Sequence, residues 1–95
     1  MKEYKSEVGY SAVIVTGGCA GCEELRFSAI EAFKEFPAYK VYYLDEITDI
    51  KSLQQLQIQR TPAIILFKDG IEIARVYGYQ PTEILALWLE SKTQL

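Results

Sequence analysis

Both cysteines of the chain lie in one short stretch, T-G-G-C-A-G-C-E-E-L, where Cys19 and Cys22 are separated by two residues. Thiols at this spacing can form a redox disulfide, supply half of a metal site, or pack as small buried residues. The 95-residue chain contains no histidine, which removes Cys-His nucleophile pairs and the imidazole ligands of most zinc sites. A bound metal would therefore require four thiolates pooled by a dimer, or additional carboxylate ligands.

The cysteines follow a predicted strand and open a predicted helix. Residues 11–16 read S-A-V-I-V-T, a β-branched apolar run that is typical of a strand buried on both faces. From residue 19 to residue 36 apolar side chains recur at spacings of three and four, and Pro37 ends the helix. Unpaired N–H groups and the helix dipole favour an anion at a helix N-terminus. We therefore predict that Cys19 is the more acidic, attacking thiol and that Cys22, one turn later and facing inward, is the resolving thiol.

Five further elements are predicted from the rest of the sequence. Asp69 and Gly70 lie between two apolar runs, which is a pattern typical of a β-hairpin, and Asp49 and Pro81 favour helix starts. The order strand, helix, strand, helix, strand, strand, helix predicts an α/β fold, with a mixed four-stranded sheet and three helices on its two faces, as a single domain over residues 1–95. The five elements are strands at 40–44, 63–68 and 71–77 and helices at 49–57 and 82–91.

The same periodicity predicts which side chains of the helices face the core. In the first helix, Phe27 and Ile30 are expected to widen an inward stripe that contains Leu25 and Ala29. The second helix is expected to turn three apolar side chains inward, and the third helix four. These side chains are Ile50, Leu53 and Leu56 in the second helix and Ile84, Leu85, Trp88 and Leu89 in the third.

Composition excludes several classes of partner. The net charge is −3 and no basic run occurs, so we expect neither nucleic acid nor an anionic membrane surface as a partner. Residues 1–10 are polar where a signal peptide needs an apolar core, and no apolar run approaches the roughly 18 residues that span a bilayer. A single close cysteine pair suits a reducing compartment. We therefore expect a soluble, cytoplasmic protein.

The element order, the Cys-x-x-Cys motif and the later Thr61-Pro62 together resemble the thioredoxin family over nearly the whole chain. The resemblance implies that Pro62 follows a cis peptide bond and faces the cysteine pair, and that Thr61 offers its backbone to an extended substrate segment. It also implies that Gly78 lines the substrate groove. Gly18, which precedes the first cysteine, replaces the tryptophan common in the family and leaves the path of an incoming sulfur open.

Three departures from the family pattern bear on the chemistry. The family commonly has Gly-Pro between its cysteines, whereas Ala20 and Gly21 stand here. Six residues before the first cysteine the family often buries an aspartate that exchanges a proton with the resolving thiol, and that position is Val13 here. A basic residue often follows the second cysteine, where this chain has Glu23 and then another glutamate.

The favoured function is a monomeric thiol-disulfide oxidoreductase that reduces protein disulfides through Cys19 and Cys22 and needs no bound cofactor or metal. A thioredoxin-reductase-like enzyme or a glutathione-based reductant would restore the dithiol. The residues expected to bind substrate are Gly18, Thr61, Pro62 and Gly78.

Two alternatives remain open. A glutathione-dependent, glutaredoxin-like protein usually has a Gly-Gly pair near the position of Gly78 followed by an acidic residue, whereas this chain has Y-G-Y-Q-P-T. We therefore favour protein substrates, with Tyr77 and Tyr79 as candidates for the rim of a peptide groove. The second alternative is a non-enzymatic interaction module or a metal-bridged dimer, in which the thiols are structural.

Overall fold

The computed structural model describes residues 8–93 and contains the seven expected elements in the expected order. Part of the polar stretch at residues 1–10 and both ends of the predicted domain lie outside the described residues. Among residues 8–93 no helix is long and apolar enough to cross a bilayer. The elements are β1 (Tyr10–Thr16), α1 (Cys22–Phe33), β2 (Lys40–Asp45), α2 (Ile50–Gln55), β3 (Ala63–Lys68), β4 (Ile71–Tyr77) and α3 (Thr82–Lys92).

The four strands form one mixed sheet in the order β2-β1-β3-β4. β1 and β2 are parallel, while β1 with β3 and β3 with β4 are antiparallel. Asp69 and Gly70 both have positive φ, 52° and 83°, as the two-residue turn between β3 and β4 requires. These pairings confirm the predicted mixed sheet and its hairpin.

The register brings four strand ends to one edge of the sheet. Thr16 at the end of β1 pairs with Asp45 at the end of β2, and Val15 pairs with Ala63 at the start of β3. Ala63 pairs in turn with Tyr77 at the end of β4. The chain therefore leaves or joins all four strands at the same edge. The residues just beyond these strand ends are Gly17, Glu46, Pro62 and Gly78.

Side chains alternate between the two faces of β1 and build a core on each side of the sheet. Ala12 and Ile14 pack in the core that includes Leu25 of α1 and Leu85 of α3. Val13 and Val15 belong to the core on the other face, which includes Leu56 at the end of α2. The helices thus cover both faces of the sheet, as predicted, and β1 is buried along almost its whole length.

Helix α1 is shorter than predicted at both ends. Gly21 is its N-cap, with a left-handed φ of 83° that favours glycine, so the helix begins at Cys22 and not at Cys19. Beyond Phe33 the N–H groups of Glu35 and Phe36 bond to carbonyl groups three residues back, and the helix gives way to tighter turns before Pro37.

Four of the apolar side chains predicted to face the core are exposed. In α1, a residue two positions after Leu25 lies about 200° around the helix axis, so Phe27 points away from the face that carries Leu25 and Ala29. The predicted stripe was therefore too wide, because each helix packs only one narrow face on the sheet. The exposed members are Phe27, Ile30, Ile50 and Ile84.

Candidate active site

The two cysteines form a disulfide in the turn that precedes α1. Their Cα atoms are 5.3 Å apart, and the N–H of Cys22 donates to the carbonyl oxygen of Cys19 at 3.2 Å. Cys22 is 1% exposed, whereas Cys19 is partly exposed. Cys22 is the first residue of α1, so the free N–H groups of the helix start beside Cys22 and not, as predicted, at Cys19. An incoming group reaches the disulfide from the side of Cys19.

The segment before β3 lies at the same edge of the sheet. The Thr61–Pro62 peptide bond is cis, which confirms that part of the resemblance. The N–H of Gly78, just after β4, donates to the carbonyl oxygen of Pro62 at 2.8 Å. Gly78 has a φ of 88°, and a Cβ built on it would meet no atom within 4 Å. The backbone therefore favours glycine at position 78, and its face is open to an approaching chain.

A carboxylate that sequence reasoning missed joins two of these segments. Glu46 follows β2, and its Oε2 accepts a hydrogen bond from the N–H of Gly18 at 3.1 Å. Its Oε1 accepts a second hydrogen bond from the Thr61 hydroxyl at 2.7 Å. A Cβ built on Gly17 would overlap the Glu46 side chain, so glycine at position 17 makes room for it. The signal for Glu46 was its place directly after a strand parallel to β1.

These contacts form a nearly continuous ring that begins and ends at the cysteine turn. From Gly18 the ring passes through Glu46 to Thr61 and Pro62, and a backbone hydrogen bond continues it to Gly78. It returns to the cysteine turn because the Cβ of Tyr79 is 3.4 Å from the position of a Cβ built on Gly21. All four predicted substrate-binding residues are thus brought together.

The sequence matches the model of a family described as a thioredoxin-like domain, over residues 1–93. The chain belongs to this thioredoxin-like family. Its fold is similar to that of Fasciola hepatica thioredoxin, with a TM-score of 0.80 and 17% identity, covering 94% of this chain and 86% of that chain. It is also similar to Trxlp from Edwardsiella tarda EIB202, with a TM-score of 0.80 and 20% identity, covering 90% and 85% of the two chains. At these identities the likeness concerns the fold alone. No curated protein matches the sequence significantly.

This thioredoxin-like protein has an apolar side chain where the family often buries an aspartate. Val13, at the position of the family's buried aspartate, is fully buried, and the buried polar side chains among residues 8–93 are Ser11 and Ser28. No carboxylate in that range is therefore buried. Nor are three or more histidine, cysteine, aspartate or glutamate side chains grouped there in a way that could hold a metal ion.

Charged groups reach the thioredoxin-like site from the surface of α1. A small cavity of about 120 Å³ is lined by Cys22, by Glu23 and by Arg26, together with residues at the end of β1. The Arg26 guanidinium lies 5.6 Å from the ring centroid of Tyr43 on β2. Sequence reasoning considered only the glutamates and missed Arg26. Arg26 could have been found from its position four residues after Cys22, because residues at this spacing lie on the same side of a helix.

The side chains of the two tyrosines beside Gly78 lie in different environments. Tyr77 packs with the core on the α2 side, and its hydroxyl accepts hydrogen bonds from Arg75 at 2.9 Å and from the N–H of Gln59 at 3.2 Å. Burial by itself would raise the pKa of Tyr77, but these two hydrogen bonds and the Arg75 charge lower it. Tyr79 is 49% exposed and lines a groove beside the cysteine turn. Of the pair, only Tyr79 rims this groove.

Proposed function

We propose that this protein is a thiol-disulfide oxidoreductase that reduces disulfides in protein substrates through Cys19 and Cys22. The observation that carries the proposal is an internal disulfide between one buried and one partly exposed cysteine, at the sheet edge that also bears Gly18, Pro62 and Gly78. A disulfide placed only for stability needs neither an accessible sulfur nor an open groove beside it. A pair that exchanges electrons with large partners needs both.

The reaction proceeds in two displacements. The Cys19 thiolate attacks one sulfur of the partner's disulfide, the partner's S–S bond breaks as the mixed disulfide forms, and the departing sulfur takes up a proton. The Cys22 thiolate then attacks the Cys19 sulfur, the Cys19–Cys22 bond forms, and the second partner sulfur leaves as a thiol. The partner gains two electrons and two protons, and the protein ends in its disulfide form.

The partner's chain lies across the open edge of the ring in this proposal. Gly18 and Gly78 leave room for its backbone, and Thr61 offers backbone groups beside Pro62. One chain supplies all of these residues, so a monomer is sufficient. An external dithiol, from a thioredoxin-reductase-like enzyme or a glutathione-based system, restores the reduced form. A protein that works as a reductant in this way suits a reducing compartment such as the cytoplasm, which is part of the proposal.

Protein substrates are favoured over glutathione by the residues that follow β4. Gly78 is followed by the bulky, half-exposed Tyr79, not by a second glycine and an acidic residue. An aromatic side chain at this position adds contact area for a bound peptide. Glutathione is too short to use this area fully.

The proposal is tested by mixing the pre-reduced protein with insulin under single-turnover conditions and counting the insulin disulfides that are reduced. We expect about one disulfide reduced per protein molecule, and none with the C19S/C22S double variant. Failure of the wild-type protein to reduce any insulin would overturn the proposal. Repeating the reaction catalytically, with thioredoxin reductase or with glutathione and its reductase, then distinguishes the two routes of re-reduction.

Alkylation separates the enzyme from a metal-bridged module. Cys19 of the reduced protein should react with iodoacetamide near neutral pH without any treatment. Thiolates that hold a metal react only after a chelator has removed it. Labelling that depends on chelator would therefore count against the oxidoreductase.

A further inference from the structure

A groove with its own chemistry lies beside the disulfide, between the first turns of α1 and the chain after β4. Its volume is about 550 Å³. Glu23, which follows Cys22 in sequence, lines both this groove and the small cavity at the resolving sulfur. A partner protein held at the disulfide therefore lies next to this groove. The lining residues are Glu23, Glu24, Phe27, Ser28, Tyr79 and Thr82.

Two aromatic side chains present apolar surface in this groove. Phe27 is 70% exposed, although it belongs to a helix with a well-buried apolar face, and Tyr79 is 49% exposed. Covering aromatic surface of this kind is favourable, and both rings also attract a cation placed over their faces. The groove thus suits an occupant with a flexible apolar stem.

A buried hydroxyl also lines the groove. Ser28 is 5% exposed, and within residues 8–93 its hydroxyl makes no hydrogen bond. A buried polar group without a partner costs free energy, so a ligand that supplies the missing hydrogen bond gains affinity there. A hydroxyl accepts a hydrogen bond as readily as it donates one.

Two carboxylates complete the groove, and none of the described residues that line it is basic. Glu23 and Glu24 are exposed in the first turn of α1, and within the described part of the chain neither is in an ion pair or a side-chain hydrogen bond. The nearest basic residue in sequence, Arg26, lines the other cavity and lies over the Tyr43 ring. The groove is therefore acidic and apolar, and its buried Ser28 hydroxyl can accept a hydrogen bond from a ligand.

We propose that this groove binds a lysine or arginine side chain that the substrate protein presents near its disulfide. This inference rests on the proposed function and names its substrate class. The methylene stem packs against Phe27 and Tyr79, and the cationic head lies by Glu23 and Glu24 and donates a hydrogen bond to Ser28. Substrates with acidic residues beside the cysteine are disfavoured by the same carboxylates.

The test uses three disulfide peptides that are identical except for one residue beside the cysteine, which is lysine, glutamine or glutamate. Each is reduced by the pre-reduced protein in single turnover at low salt. An exposed ion pair changes a rate by at most about 5-fold, and the glutamate peptide meets repulsion of similar size, so we expect the lysine peptide to react roughly 2- to 30-fold faster than the glutamate peptide. This ratio should fall as salt is added.

Variants assign the preference to the groove. E23Q/E24Q should bring the lysine-to-glutamate rate ratio close to one. The ratio is the right readout because loss of the two charges also changes the reactivity of the cysteines toward every peptide. E35Q/E90Q is the matched control, since it removes the same charge from a second acidic and apolar groove at the far end of α1 and should leave the ratio unchanged.

Ser28→Ala adds a measurement that separates binding from folding. It should lower the rate ratio by about 2-fold and leave the melting temperature unchanged or raised, because the hydroxyl has no hydrogen-bond partner among residues 8–93. Equal rates for all three peptides, or an equal loss of preference in the E35Q/E90Q control, would overturn the groove assignment while the proposed function stood. Failure to reduce any of the peptides would count against both.

Discussion

The Thr61 hydroxyl donates a hydrogen bond of 2.7 Å to Glu46, a residue that follows a different strand. The other oxygen of the same carboxylate accepts the N–H of Gly18. One side chain therefore holds the cysteine turn at a set distance from the segment before β3. Because both segments belong to the proposed substrate surface, Glu46 positions that surface.

Glu46→Ala should lower kcat/KM for a protein disulfide by about 5- to 20-fold, mainly through KM, because two hydrogen bonds to one charged group are lost. Glu46→Gln should retain most of the activity, since its amide can accept from Gly18 and donate to the Thr61 hydroxyl. Steady-state kinetics with insulin as substrate checks both. A glutamine variant as impaired as the alanine variant would show that the charge matters and not the positioning.

Gly17 and Gly18 offer a matched pair of alanine substitutions. A Cβ on Gly17 would displace the Glu46 side chain, whereas a Cβ on Gly18 would meet no atom within 4 Å. Gly17→Ala should therefore lose about as much activity as Glu46→Ala with little loss of stability, because a flexible side chain can move aside. The double variant G17A/E46A should be no worse than E46A. Additive losses would show that Gly17 acts independently of the carboxylate.

The two single cysteine variants should have different defects. Cys19→Ser should abolish reduction of protein disulfides, while Cys22→Ser should accumulate stable mixed disulfides with partners, because the second displacement has no thiol. Non-reducing electrophoresis and mass spectrometry of the trapped species measure this. Trapping by Cys19→Ser in place of Cys22→Ser would reverse the roles.

Acid stability should depend in part on Glu72. A hydrogen bond from Arg75, at 2.6 Å, lowers the pKa of Glu72. A carboxyl whose pKa is lowered by folding stabilises the folded protein at any pH above the pKa of the same group in the unfolded chain, about 4.3. This contribution is lost as the pH falls through the lower pKa of the folded protein. Glu72→Gln should therefore flatten the fall in unfolding free energy between about pH 5 and pH 3, by less than about 1 kcal/mol because the pair is partly exposed.

The control for this measurement is Glu90→Gln, since Glu90 makes no side-chain hydrogen bond or ion pair within residues 8–93. Urea unfolding at several pH values gives the free energies. A pH dependence unchanged by Glu72→Gln, or changed equally by both variants, would contradict the assignment.

Much of the fold follows from local chemistry and was predictable from the sequence. The β-branched run before Gly17, the helical spacing after Cys22 and the Asp69-Gly70 turn each restrict the backbone within a few residues. Once the order of elements is known, the right-handed crossover and the hairpin leave few arrangements of the sheet. The sequence therefore determined the mixed sheet, its layers and the position of the cysteine pair at the end of a buried strand.

The tertiary structure alone decided how the site is assembled. Helix α1 has apolar side chains on two faces, one with Leu25 and Ala29 and one with Phe27 and Ile30, and only the packing decides which face is buried. The hydrogen bond between Thr61 and Glu46 depends on strand register and on side-chain rotamers, and it joins residues that are distant in sequence. The unequal exposure of Cys19 and Cys22 likewise arises from where α1 begins and what packs against it. Such features depend on the relative positions of separate segments, and local sequence preferences do not specify these positions.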